Sequence, residues 1–347
     1  MTDFDKYIVL GEPGKLEKAK IWQTAIGLQD VDGLKPSGYL LKTAEQHIEG
    51  DITLDQVKKL IDSYYESKGE RQDSEREGEM EADKVSVRIT EILSEKVFSF
   101  TPDYLISIHR RLFDGVFSHA GQFRRKNMIK HEWILDGDTV EYSPFDLIED
   151  TLNYEFTQER GVDYPSMTAA EALKKICRFV SGIWQVHPFA EGNTRTTAVF
   201  AMKYLQNFGF EVDNTVFKDH SWYFRNALVR NNYRNYSKGV SATTVYLEMF
   251  FRNLLFGEQN QLSNRVMHIA NAQSVISKSH NDTLDCTLTE ISILKFLKDH
   301  PGAKQEEIAV HIGKSVTTVK RTTPELIKKG MLERENGKRN GRWKVKM

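Results

Sequence analysis

The chain reads as mainly α-helical, with one short β-hairpin near its middle and two further strands near its carboxyl end. Three observations carry that reading. Apolar residues recur at three- and four-residue spacing through most of the 347 residues. Asp136-Gly137-Asp138, set between apolar stretches, is a strong short-range hairpin signal. From Cys286 onward, three short helical stretches give way to two strand-like ones.

Length and a hydrophobic content of 39% allow two or three domains with a sizeable core. Cys177 and Cys286 stand far apart without metal-ligand spacing, so neither a disulfide framework nor a zinc site is indicated. The first residues lack a basic start and apolar run, and no stretch approaches the roughly 20 apolar residues of a membrane span. A cytoplasmic protein without a membrane partner is the expectation. The net charge of −1 is unevenly placed: residues 286–347 carry fourteen Lys and Arg against seven Asp and Glu, +7, leaving −8 for the rest.

In chain order, residues 14–62 read as helices punctuated by turns. The run 33–38, Gly-Leu-Lys-Pro-Ser-Gly, breaks the first, Gly50 ends the second after 40–48, and Thr53 with Gln56 caps a third running to Tyr65. Residues 67–83 are so rich in charge that they read as a solvated linker or exposed helix extension. Helices return at 85–97 and after Thr101-Pro102-Asp103. The hairpin follows, resting on the helical body as a lid or strand template. Helical spacing resumes at 147–156, 167–187, 199–208, 216–229 and 242–256, and 259–285 reads as a connection with a helical piece around 266–276. In the tail, 291–297, 306–312 and 315–327 read as helices, then 331–334 and 342–346 as strands around a turn with Gly337 and Gly341. That is the order of a winged helix-turn-helix domain, with 315–329 as recognition helix.

The chemistry concentrates at His187-Pro188-Phe189-Ala190-Glu191-Gly192-Asn193-Thr194-Arg195, just ahead of a helix. Unpaired N–H groups at a helix start form an anion cradle, so Gly192, Asn193 and Thr194 suit a phosphate. Arg195 adds a guanidinium that can bind two phosphate oxygens. Glu191 conflicts with a phosphate unless a Mg2+ stands between them, which makes it a candidate metal ligand. His187 is suited to accept a proton from a hydroxyl nucleophile at neutral pH.

Taken together the loop resembles the signature of the Fic family, His-Pro-Phe, a variable residue, Asp or Glu, Gly-Asn-Gly-Arg, two variable residues, Arg. The match holds through Arg195 except at Thr194, where the family usually has Gly, and the second arginine falls at Ala198. The resemblance extends over about residues 85–256, including 119–124 (His-Ala-Gly-Gln-Phe-Arg) and the hairpin as a target-binding flap. It implies a Fic-type helical bundle that transfers AMP from ATP to a Ser, Thr or Tyr hydroxyl of a protein target. By that resemblance His187 deprotonates the target, Glu191 holds Mg2+, Gly192, Asn193 and Thr194 cradle phosphates, and Arg195 neutralises departing charge. Tyr223 and Asn231 fall where the family often contacts adenosine. Glu49-Gly50 resembles the end of the family's inhibitory motif, with Arg195 as alternative partner because position 198 has no cation.

The organisation expected is an amino-terminal helical region over 1–80 with an inhibitory role, a catalytic core over 81–258, a linker over 259–285 and a winged helix over 286–347. Phosphate or another nucleotide as the transferred group, and a DNA-binding regulator with a nucleotide-sensing core, are the alternatives. The basic tail points to DNA and a homodimer stays open.

Overall fold

The computed structural model describes residues 4–67, 74–208, 210, 215–271, 286–335 and 341–346. Its elements run α1 (Asp5–Leu10), α2 (Pro13–Gly27), α3 (Gly38–Glu49), α4 (Leu54–Ser67), α5 (Ser74–Ser94), α6 (Pro102–Phe113), α7 (Ile148–Arg160), α8 (Ala169–Val186), α9 (Asn193–Gln206), α10 (Thr215–Asn232, kinked at His220), α11 (Val245–Phe256), α12 (Leu288–Asp299), α13 (Gln305–His311), α14 (Val316–Lys328), β1 (Leu332–Glu335) and β2 (Arg342–Val345). The fold is mainly helical with a small carboxyl-terminal antiparallel hairpin, in which Leu332 faces Val345 and Glu335 faces Arg342. No helix among the described residues is long and apolar enough to cross a membrane.

The caps explain several boundaries. Thr53 and Gln56 exchange hydrogen bonds ahead of α4, and Thr168 with Glu171 forms a capping box that starts α8. In α8, Leu173, Ile176, Cys177, Val180, Ile183 and Trp184 form one buried stripe, which seats the helix in the main core and so fixes where its last residue lies. A second core, under α1 to α4, gathers Trp22, Leu40, Ala44, Ile48, Val57 and Ile61.

Three sequence expectations need correction. Residues 128–142 form no paired strands: a 3-10 turn (Trp133–Leu135) replaces the hairpin. Asp136 adopts the left-handed region at φ 56°, and local bonds such as Leu135 N to Glu132 O, 3.0 Å, consume groups a ladder would need. Side chains hold the loop instead. Arg225 grips Glu132 with two bonds of 2.6 and 3.0 Å, and Tyr233 Oη and Asn235 Nδ2 donate to Asp138 at 2.7 and 3.3 Å. Strand addition at this flap therefore has no paired strand to extend.

The charge-rich stretch up to Asp83 is also not all solvated. Asp83 is fully buried in α5 and accepts from Ser37 N, Ser37 Oγ and Tyr65 Oη at 2.8, 2.6 and 2.7 Å. The 80/81 boundary falls inside α5, and residues 68–73 of that stretch lie outside the described residues. In the connection, 3-10 turns (Asn264–Met267, Ile269–Asn271) stand where a helical piece was expected; the remainder to 285 lies outside the described residues, as does Gly337.

The winged helix follows the expected order. Ser315 caps α14 by accepting from Thr318 N at 3.1 Å. Lys320 and Arg321 are exposed on α14, whereas Thr322 is buried. The domain docks on the core where Cys286 O accepts from Ala169 N at 2.6 Å, at the first residue of α8.

Candidate active site

His187 ends α8 as its C-cap, at φ 49° and ψ 58°. A non-glycine residue there carries strain, and Pro188 prevents the helix from continuing. Arg124 over-determines the turn. Its Nε donates to His187 O at 2.7 Å, Nη1 to Lys126 O at 2.8 Å, Nη2 to Ser143 O and, at 3.4 Å, to Val186 O, while its backbone N donates to Pro188 O at 2.9 Å.

The imidazole of His187 is 3% exposed, packed edge-on to Trp184 and tilted against Tyr142 with ring centroids 4.2 Å apart. Its Nδ1 lies 3.3 Å from Trp184 O. A carbonyl can only accept, so Nδ1 carries the proton and Nε2 keeps its lone pair. Nε2 is buried without a partner. Burial, then the nearby Lys130 charge, hold the imidazole well below its usual pKa, so it is neutral at pH 7.

The loop beyond is braced from within. Asn193 accepts from Phe189 N at 2.9 Å and donates to Phe189 O at 2.7 Å, closing the turn with its own amide. His109 accepts from Gly121 N at Nδ1, 2.8 Å, which leaves Nε2–H to donate to Glu191 O at 3.1 Å. The His109 ring stacks on Phe189 at 3.7 Å, and burial lowers its pKa to about 4. Gly192 sits at φ 75° as N-cap of α9. The N–H groups of Asn193, Thr194 and Arg195 belong to the first turn of α9, which has no intrahelical acceptor for them.

The sequence-predicted residues divide accordingly. His187, Glu191, Gly192, Asn193 and Thr194 are brought together on one turn. Thr194 Oγ1 accepts from Trp184 Nε1 at 2.9 Å, so the threonine hydroxyl locks α9 to α8. The Asn193 side chain braces the loop and leaves backbone N–H as what its position offers a phosphate. Glu191 is the exposed member, its side chain 58% accessible, with Lys130 Nζ 3.3 Å from Oε2.

Arg195 points elsewhere. Its side chain is 2% exposed, with Nη1 on Gln29 Oε1 at 3.1 Å, Nη2 on Glu81 Oε1 at 2.5 Å, and Asp32 Oδ2 2.8 Å from Nε as an ion pair outside hydrogen-bonding geometry. It lies over the Phe113 ring at 4.8 Å. The pairing of Arg195 with Glu49 is absent: Glu49 accepts from Tyr7 Oη at 2.7 Å and pairs with Lys15 at 2.8 Å, because the end of α3 faces α1 and α2. Tyr223 is a core aromatic, 1% exposed with Oη on Tyr246 O at 3.2 Å. Asn231 Nδ2 donates to Ser181 Oγ at 2.5 Å, and its Oδ1 is buried without a partner.

Sequence reasoning missed His109, Arg124 and Lys130, which come from α6 and the flap, and Asp32 and Glu81, which neutralise Arg195. Arg124 had a weak signal, as the last residue of the stretch that resembles the family. Glu81 had none, since a charge in a charged run looks solvated.

Residues 99–205 match the family model described as Fic/DOC family, and residues 286–344 match the one described as MarR family. Among solved structures, a Fic family protein from Desulfovibrio desulfuricans G20 is 14% identical, with 99% of this chain and 92% of that chain covered and a TM-score of 0.43. No curated protein matches. The Fic fold is consistent with nucleotide-transfer chemistry in general. The chain carries a Fic-family domain, holding the His187 loop, fused to a MarR-type winged-helix domain.

Proposed function

We propose that the protein is a nucleotidyltransferase that moves AMP from ATP to a Ser, Thr or Tyr hydroxyl of a protein target. The observation that carries the reading is a neutral histidine whose Nε2 lone pair is unpartnered, beside the free first turn of a helix. In the step proposed, the target hydroxyl gives its proton to His187 Nε2 as its oxygen bonds to the α-phosphorus. The bridging oxygen to the β-phosphorus then leaves with the bonding pair as pyrophosphate. Backbone N–H groups of the first turn of α9 hold the phosphate oxygens as charge builds on them.

Among the described residues no three His, Cys, Asp or Glu gather as a metal cluster. Mg2+ requires less, since it keeps waters and takes one or two carboxylates plus substrate phosphates. Glu191 fits: it is an exposed carboxylate at the mouth of the cradle and already holds a cation, the Lys130 ammonium. Glu191 would hold the ion, which when bound supplies charge neutralisation for the phosphates.

Incubation of the chain and candidate targets with labelled ATP and Mg2+ tests the reading. Label that depends on His187 supports it, and no difference between parent and His187→Ala overturns it. Adduct mass separates AMP from phosphate. The burial of Arg195 among carboxylates and the apolar Ala198 favour keeping phosphate or another nucleotide as the second reading, since both remove cations that would orient a triphosphate. DNA contact through exposed Lys320 and Arg321 is proposed for the MarR-type domain, with binding that falls steeply as salt rises. Salt-insensitive binding by the full chain would overturn that part.

A further inference from the structure

A triphosphate carries several negative charges, and three of the cations round the His187 loop are spent. Arg195 is committed to Asp32, Glu81 and Gln29. Arg124 spends its guanidinium on backbone carbonyls, and Arg225 is locked to Glu132 by two bonds. Lys130 differs. Its backbone N is anchored to Thr139 Oγ1 at 3.3 Å, while its ammonium, on a half-buried stem, makes one 3.3 Å contact to an exposed carboxylate.

From this geometry we propose that Lys130 is a nucleotide-binding residue, paired with Glu191 in this structure and passing to the β- and γ-phosphate oxygens when a triphosphate enters. The inference rests on the nucleotide-transfer reading and names the group that selects its substrate. A phosphate bound at the first turn of α9 would have Glu191, next in sequence to Gly192, and through it Lys130 as the exposed groups available to the phosphates beyond. Were Glu191 to hold a divalent ion, the Lys130 ammonium would give up that partner, and its flexible four-carbon stem would let it reach the phosphates. A monophosphate would not reach it. Lys130 would thus separate ATP from AMP, and with Arg195 turned away and Ala198 apolar it supplies the cation the outer phosphates need.

The test is equilibrium binding to the full chain, with Mg2+ present, of a non-hydrolysable ATP analogue and of AMP. Lys130→Ala should weaken the ATP analogue by about tenfold or more, the size of one lost charge-assisted bond, and change AMP by no more than about twofold. Lys130→Arg should restore binding of the analogue. Equal affinity of parent and Lys130→Ala for the analogue overturns the inference while leaving the nucleotide reading intact. So does an equal loss for both ligands, which would mean that Lys130 only holds the flap in shape. A parent chain that does not bind the analogue overturns the nucleotide reading itself, and the role of Lys130 with it.

Discussion

Gly192→Ala is the sharpest test of how the loop is built. A Cβ at position 192 would lie 2.3 Å from Phe113 Cε2 and 2.4 Å from Cζ, and the residue sits at φ +75°. The left-handed backbone costs an alanine about 1–2 kcal/mol. Phe113 cannot easily retreat, because it is packed against Phe117 with centroids 4.8 Å apart and under Arg195 at 4.8 Å. Forcing it aside adds overpacking of about 1–3 kcal/mol, for a sum of about 2–5 kcal/mol. Urea unfolding followed by tryptophan fluorescence should show the midpoint falling at unchanged slope. Phe113→Leu removes the ring atoms in the way, so the double variant should cost at least about 1 kcal/mol less than the two single losses combined. A Gly192→Ala loss below about 0.5 kcal/mol, or strict additivity, would refute the steric account.

Arg124→Lys should destabilise by about 2–4 kcal/mol, because an ammonium cannot reproduce the planar fan of donors and leaves carbonyls near His187 unsatisfied; unfolding midpoints check the loss, and histidine-dependent labelling should fall with it. Glu81→Gln should cost up to about 3 kcal/mol by leaving the buried Arg195 guanidinium under-compensated, whereas Glu49→Gln, at an exposed pair, should leave the unfolding midpoint close to that of the parent; the same unfolding assay compares them. His47 is held neutral to about pH 4 by burial, with Lys18 next in effect, while its Nδ1 accepts from Trp22 Nε1 at 3.0 Å. The unfolded chain takes up that proton near pH 6.5, so stability is full above that pH and falls as pH drops toward 4, by up to about 1.4 kcal/mol per pH unit. His47→Gln, which keeps an acceptor for Trp22, should flatten this part of the profile; an unchanged slope would assign it to other groups.

Local rules made much of the chain legible. Capping at Thr53, the C-cap glycine at position 50 and the apolar stripe of α8 all depend on neighbours within a turn or two. The residues of the His187 loop were legible for the same reason, since they come from one continuous segment. The flap was misread because Asp136-Gly137 encodes a tight reversal and not the pairing of its flanks. That pairing was lost to Arg225, Tyr233 and Asn235, which lie about a hundred residues downstream.

By itself the sequence determined the helical class, the winged helix-turn-helix tail and the residues of the candidate loop, because periodicity, caps and a helix-opening turn are short-range properties. Tertiary structure alone decided which charges around that loop are free. Arg195 looked like a phosphate ligand until Asp32 and Glu81, brought in from two distant elements, buried and neutralised it. Lys130, one of several cations in a flap, became the one placed against Glu191. A charge acts through whatever lies within a few ångströms of it, and long-range packing of the chain sets those neighbours.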